Sequence, residues 1–172
     1  MQYNIHPIIV HFPIAFLFIY AVIKILPFRK WFPKVSWNDI SLIVLIVGVL
    51  GAFASLSTGE AAEHIVRRNR QLVEAHSMFA SLSTWLFGAL LVGELAAIFN
   101  RTAKFMDQKW AMVRTVTVIL QKYLYDSFLA AFVVVIAFLS IMMTGLLGGA
   151  IVYGTTADPI AGIVLKLLGI TI

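Results

Sequence analysis

The sequence predicts an all-α integral membrane protein: a four-helix transmembrane bundle with both termini on the periplasmic side and a short interfacial C-terminal segment. Three features point there. Of 172 residues, 61% are hydrophobic and 12% charged, with a mean hydropathy of +0.95, whereas a soluble domain carries roughly 25% charged residues. The apolar residues fall into four runs, each near the roughly 20 helical residues that cross a hydrocarbon layer. Strand-period alternation is absent, which argues against an outer-membrane barrel.

The first helix is expected over about residues 7–28 and opens with His6-Pro7-Ile8-Ile9-Val10-His11-Phe12-Pro13. Two imidazoles at the mouth of a lipid-buried segment need partners, because ionisable groups are costly there. Pro7 suits a first helical turn, where its missing N–H would be unpaired anyway, so His6 becomes the cap and His11 lies about one turn inside. Pro13 falls in the second turn, where it removes a backbone hydrogen bond and loosens the helix beside His11. After Phe28-Arg29-Lys30, the residues Trp31, Pro33, Lys34 and Trp37 form a basic aromatic turn, the composition of a membrane interface.

A second helix is expected over about residues 39–57, where Gly48, Gly51, Ala52 and Ala54 let a neighbouring backbone or a flat ligand approach. The polar stretch that follows holds Glu60, Glu63, His64, Arg67, Arg68 and Arg70 and is expected to be continuous with a third helix over residues 60–99, lipid-buried from 72. Glu94 belongs near its far end. Residues 100–122 are basic and mildly amphipathic, and read as an interfacial segment running into a fourth helix, the whole covering residues 107–152. The segment from 159 to 172 is too short to cross a bilayer, so it is expected to lie along the interface or dock on a partner. No repeat, low-complexity run or long linker divides the chain, which reads as one domain, 1–172.

Orientation follows from basic residues. Lys24, Arg29, Lys30 and Lys34 at one turn and Arg101, Lys104, Lys109, Arg114 and Lys122 at another oppose Arg67, Arg68, Arg70 and Lys166 on the face that bears the termini. The positive-inside rule then puts both termini outside the cytoplasm, as for a multi-pass protein of a bacterial inner (cytoplasmic) membrane. The same rule accounts for the net charge of +5, so nucleic acid is not an expected partner. The N-terminus lacks a basic n-region and a small-residue cleavage site, so its first helix is expected to be retained. Without cysteine there is no disulfide, no Fe–S cluster and no covalently attached haem c.

The four histidines, His6, His11, His64 and His76, all fall at the face of the termini. His6 and His11 differ by ~140° and ~7.5 Å along a regular helix, so the two together do not chelate one ion. His11 and His76, on helices one and three, are expected at similar depth and facing. Such a pair suits axial ligation of a b-type haem wedged between helices, with Arg67, Arg68 and Arg70 available to the propionates. A transition-metal site drawn from His6, His11, His64 and His76, with Glu60 and His64 sharing a face at i, i+4, is a second chemistry. A proton relay is a third, but Glu94 and Asp126 lie at the far side with little between. Hydrolytic arrangements are absent.

His6-Pro7-x-x-Val10-His11-Phe12-Pro13, then Thr58-Gly59-Glu60-Ala61 and His76, and Gly148-Gly149-x-x-Val152-Tyr153 near the end resemble the bacterial family of predicted four-helix membrane proteins of unknown function marked by HPxxVHFP. The resemblance spans nearly the whole chain and implies that fold, with a lean toward b-type cytochrome or redox-associated work. The family pattern continues with a histidine after the tyrosine; Gly154-Thr155-Thr156 stands here instead, which puts a ligand role for that end in doubt.

The resulting expectation is a membrane b-type cytochrome holding one or two haems near the periplasmic face. His11 and His76 form the inner axial pair, and His6 and His64 serve a second haem. It passes electrons between membrane quinol or a partner subunit and a periplasmic carrier, as an electron-transfer subunit rather than a stand-alone enzyme. The alternative is a non-catalytic scaffold or assembly subunit of a larger membrane complex, with structural or metal-binding histidines.

Overall fold

Pro13 has no N–H to give, and the first spanning helix is interrupted one turn before it. The computed structural model describes residues 5–63, 69–102, 110–154 and 158–170, and its chain begins with α1 (His6–Ile9) and α2 (His11–Ile25) on either side of Val10. Val10 keeps helical dihedrals, φ −64° and ψ −25°. One hydrogen bond is therefore lost while the chain direction is kept.

The remaining elements are α3 (Phe28–Trp31), α4 (Trp37–Glu63), α5 (Arg70–Thr102), α6 (Ala111–Leu124), α7 (Phe128–Tyr153) and α8 (Pro159–Leu167). Among the described residues, four helices are long and apolar enough to cross a membrane: His6–Ile25, Trp37–Ala62, Arg70–Thr102 and Phe128–Tyr153. Three boundaries differ from the sequence expectation. The polar residues 58–63 continue α4 rather than opening the third spanning helix, since Ala61 and Ala62 favour helix and no proline intervenes. The helix α5 starts afresh at an Asn69 cap, whose Oδ1 accepts from the Gln71 N–H at 3.0 Å and the Leu72 N–H at 3.4 Å. The expected fourth helix is two helices, because Ser127 offers a new cap and accepts from the Ala130 N–H at 3.1 Å.

The helix α2 packs on α4 and α7, and α5 packs on the same two, so the order around the bundle is α2, α4, α5, α7. This puts α2 and α5 on one diagonal. Leu17, Tyr20, Leu45, Val49, Phe87, Leu90, Val134 and Ile141 fill the middle. Gly48 lets α2 and α4 close up: a Cβ there would lie 2.6 Å from Leu17 Cδ2. Large apolar residues such as Trp85 and Phe128 stay on the outside, where acyl chains rather than water are the solvent. The C-terminal α8 docks on this chain itself, with Ala161 and Leu165 buried against Leu72, Leu147 and Ala150. It is capped by Asp158, whose Oδ1 accepts from the Ile160 N–H at 2.8 Å.

The helix α6 runs back alongside the last turns of α5. Thr117 Oγ1 donates to Asn100 Oδ1 at 2.7 Å, Asn100 Nδ2 to Gln121 Oε1 at 2.9 Å, and Gln121 Nε2 to Asp126 Oδ2 at 2.9 Å. At the upper end of this contact a Cβ on Gly93 would lie 2.7 Å from both the Cβ and the carbonyl oxygen of Leu124. A backbone atom cannot step aside as a side chain can. Gly93→Val is therefore expected to lower stability by about 2 kcal/mol, read as an earlier midpoint in detergent-micelle unfolding; an unchanged midpoint would count against this α5–α6 contact.

Candidate functional site

At the α1 end of the bundle each diagonal contributes a different chemistry. The diagonal of α1 and α5 supplies imidazoles, and that of α4 and α7 supplies the groups that hold them. His6 Nδ1 lies 3.0 Å from Thr58 Oγ1, while the Thr58 hydroxyl donates its one proton to the Ser55 carbonyl at 3.1 Å. The hydroxyl is then an acceptor toward His6, which carries its proton on Nδ1. His76 Nδ1 lies 3.0 Å from the Thr144 carbonyl, an acceptor only, so the same tautomer follows. In the His76 ring Nε2 is then the basic nitrogen, the one a metal takes.

The two rings meet with centroids 6.5 Å apart and planes at 88°. Glycine makes room for each of them. A Cβ on Gly59 would stand 3.2 Å from His6 Cε1, and one on Gly148 would stand 3.1 Å from His76 Cε1. The hairpin of α1, α2 and α4 and the hairpin of α5 and α7 thus repeat one device: a histidine early in the descending helix, anchored by a threonine late in the ascending one.

The expected pairing of His11 with His76 is not formed. His11 is exposed, and its Nδ1 bonds the Pro7 carbonyl of its own helix. The ~140° between positions 6 and 11 turns only one of them toward the bundle, and that one is His6. Arg70, expected near a haem propionate, pairs along α5 with Glu74 at 2.7 Å, its side chain 90% exposed. His64, Arg67 and Arg68 lie outside the described residues. Among the described residues no group of three or more His, Cys, Asp or Glu gathers to hold a metal. The pair can serve as two ligands to a centre that brings its own remaining ligands.

The far end of the same diagonal holds a site that the sequence reading did not assemble. Glu94, 3% exposed, forms an ion pair with Lys24 and accepts from Tyr20 Oη at 3.3 Å. Lys24 Nζ also stands 4.8 Å from the Tyr125 ring centroid and 5.5 Å from that of Tyr20, within cation–π range. The signal was available: an intramembrane acid requires a partner, and Lys24 is the one cation inside a facing apolar run. Between this cluster and the histidines lies the apolar core cluster, and the buried hydroxyls there bond within their own helices, Ser83 and Thr84 to the Ala80 carbonyl.

Residues 2–159 match the family described as "Predicted membrane protein (DUF2231)". No curated protein and no solved structure matches the chain.

Removing one partner of a buried ion pair strands the other charge. Glu94→Leu is expected to cost about 3 kcal/mol, and adding Lys24→Met to recover most of it. Unfolding midpoints of the two single variants and the double variant in micelles check this, and additive losses would show that the pair is not coupled.

Proposed function

The chain belongs to the DUF2231 family of predicted membrane proteins, and for this member we propose a membrane b-type cytochrome in which His6 and His76 would hold the haem. One observation carries the reading. His6 and His76, on facing helices, bring their ring centroids to 6.5 Å, so the two imidazoles together would be the residues to hold one haem. They come from diagonal helices, their Nδ1 atoms lie 3.0 Å from Thr58 Oγ1 and from the Thr144 carbonyl, and Gly59 and Gly148 leave room beside the rings that a Cβ would crowd. This reading takes His6 and His76 as the ligand pair in place of His11 and His76, with one haem.

When bound, the haem supplies reversible one-electron transfer. The chain's own residues do the rest. Thr58 and the Thr144 carbonyl fix the ring angles, and a hydrogen bond at Nδ1 makes the His76 Nε2 a stronger donor. Basic residues concentrate at the Lys24 end of the bundle, which supports placing that end in the cytoplasm and the histidine end in the periplasm of a bacterial inner membrane. With the site at one face, electrons arrive laterally from quinol or a partner subunit and leave to a periplasmic carrier.

A scaffold or assembly subunit is the second reading, favoured by the same Nδ1 bonds, since two satisfied histidines can pin helices without a cofactor. The spectrum of the protein purified after expression with ample haem separates the two. Sharp reduced bands of a six-coordinate b haem are expected, with His6→Ala and His76→Ala each lowering haem per chain at least about ten-fold and His11→Ala leaving it unchanged. A colourless protein, or haem retained in both site variants, would overturn the cytochrome reading.

A further inference from the structure

The end of the bundle opposite the histidines gathers charge of a different kind. Arg29, Lys30, Lys34, Arg101, Arg114 and Lys122 are all exposed there, and neither described ion pair, Lys24–Glu94 or Arg70–Glu74, includes any of them. Arg29 donates to Asn38 Oδ1 at 2.6 Å and Arg101 to Tyr125 Oη at 3.2 Å, both neutral acceptors. The exposed carboxylates described at this end are Asp39 and Asp126, and Asp126 already accepts from Gln121. Six cations therefore face two acids.

The helix α6 adds an apolar surface to this charge. Its contact with α5 is polar, through Thr117 and Gln121. On its other side Met112, Val116, Ile119 and Tyr123 recur at i, i+4, i+7 and i+11, a spacing that lines one side of a helix. Met112 is 81% exposed and the other three about half. Leu124 sits beside Gly93 and Thr117 beside Asn100, so α6 runs from the Lys24–Glu94 level out to the end of the bundle. Trp31 and Trp110 are exposed at the same end, as interfacial tryptophans are.

We propose that this end of the bundle is a binding site for anionic phospholipids, with the α6 stripe among acyl chains and Arg101, Arg114 and Lys122, together with Arg29 and Lys30 of α3, on the headgroup phosphates. Guanidinium groups match phosphate oxygens bidentately, and each cation near an anionic surface adds attraction worth about a five-fold change in affinity. A second copy of the chain would bring like charge onto like charge. The site is independent of haem binding.

Native mass spectrometry of the full chain released from nanodiscs of equal parts phosphatidylcholine and phosphatidylglycerol tests it. Wild type is expected to retain phosphatidylglycerol in preference to phosphatidylcholine. The double variant Arg114→Gln/Lys122→Gln should lose about five-fold of that preference per charge removed, while Arg70→Gln at the other end should keep it. Arg29→Gln/Lys30→Gln is the companion variant should α6 unfold. Equal retention of the two lipids by wild type, or wild-type preference in both double variants, overturns the proposal; an acidic synthetic helix binding to a chain with no lipid preference would assign the face to a protein instead.

Discussion

The structure depends on how an apolar solvent treats groups that carry charge or protons. In the bilayer such a group has no water to turn to, so it must find its complement on another helix, and the position of that complement fixes how the helices stand. Here each imidazole takes its complement on a neighbouring helix, His6 on Thr58 of α4 and His76 on the Thr144 carbonyl of α7, while Lys24 and Tyr20 of α2 meet Glu94 of α5 across the diagonal. These helices face each other across the bundle and pack mainly on α4 and α7. The polar ties therefore set a register that apolar contact along the helices alone would leave free to slide.

Small residues decide where such ties can form. The imidazoles of His6 and His76 fit because the helices beside them present Gly59 and Gly148, and α2 approaches α4 because Gly48 leaves space for Leu17. The same logic lets α6 seat on α5 at Gly93. In each case the absence of a Cβ admits a particular neighbour, and the neighbour's identity explains why that position is glycine.

The fold class was legible because hydropathy and length are enough to find spanning helices, and four runs in the sequence became four spans. The loosening beside His11 was legible too, since proline chemistry is local. Helix boundaries were less so: Asn69 and Ser127 start new helices inside stretches whose composition reads as continuous. The facing of His11 and His76 was misjudged for a geometric reason. Depth along the membrane can be estimated from residue count, but the direction of a side chain near a proline break cannot, and Pro7's carbonyl takes His11 while His6 turns inward. The Lys24–Glu94 tie was missed because each charge was read with its own helix end rather than against the other.

The apolar middle of the bundle has an electrical consequence. A membrane potential is worth about 2.3 kcal/mol per unit charge per 100 mV, but only to a charge that travels through the field. Leu17, Phe87, Leu90 and Val134 insulate the histidine layer from the opposite end, and the Lys24–Glu94 cluster beyond them is a neutral pair. A charge that entered the His6–His76 layer from its own end of the bundle would therefore cross little of the voltage drop, and its energy there would be nearly indifferent to how strongly the membrane is energised.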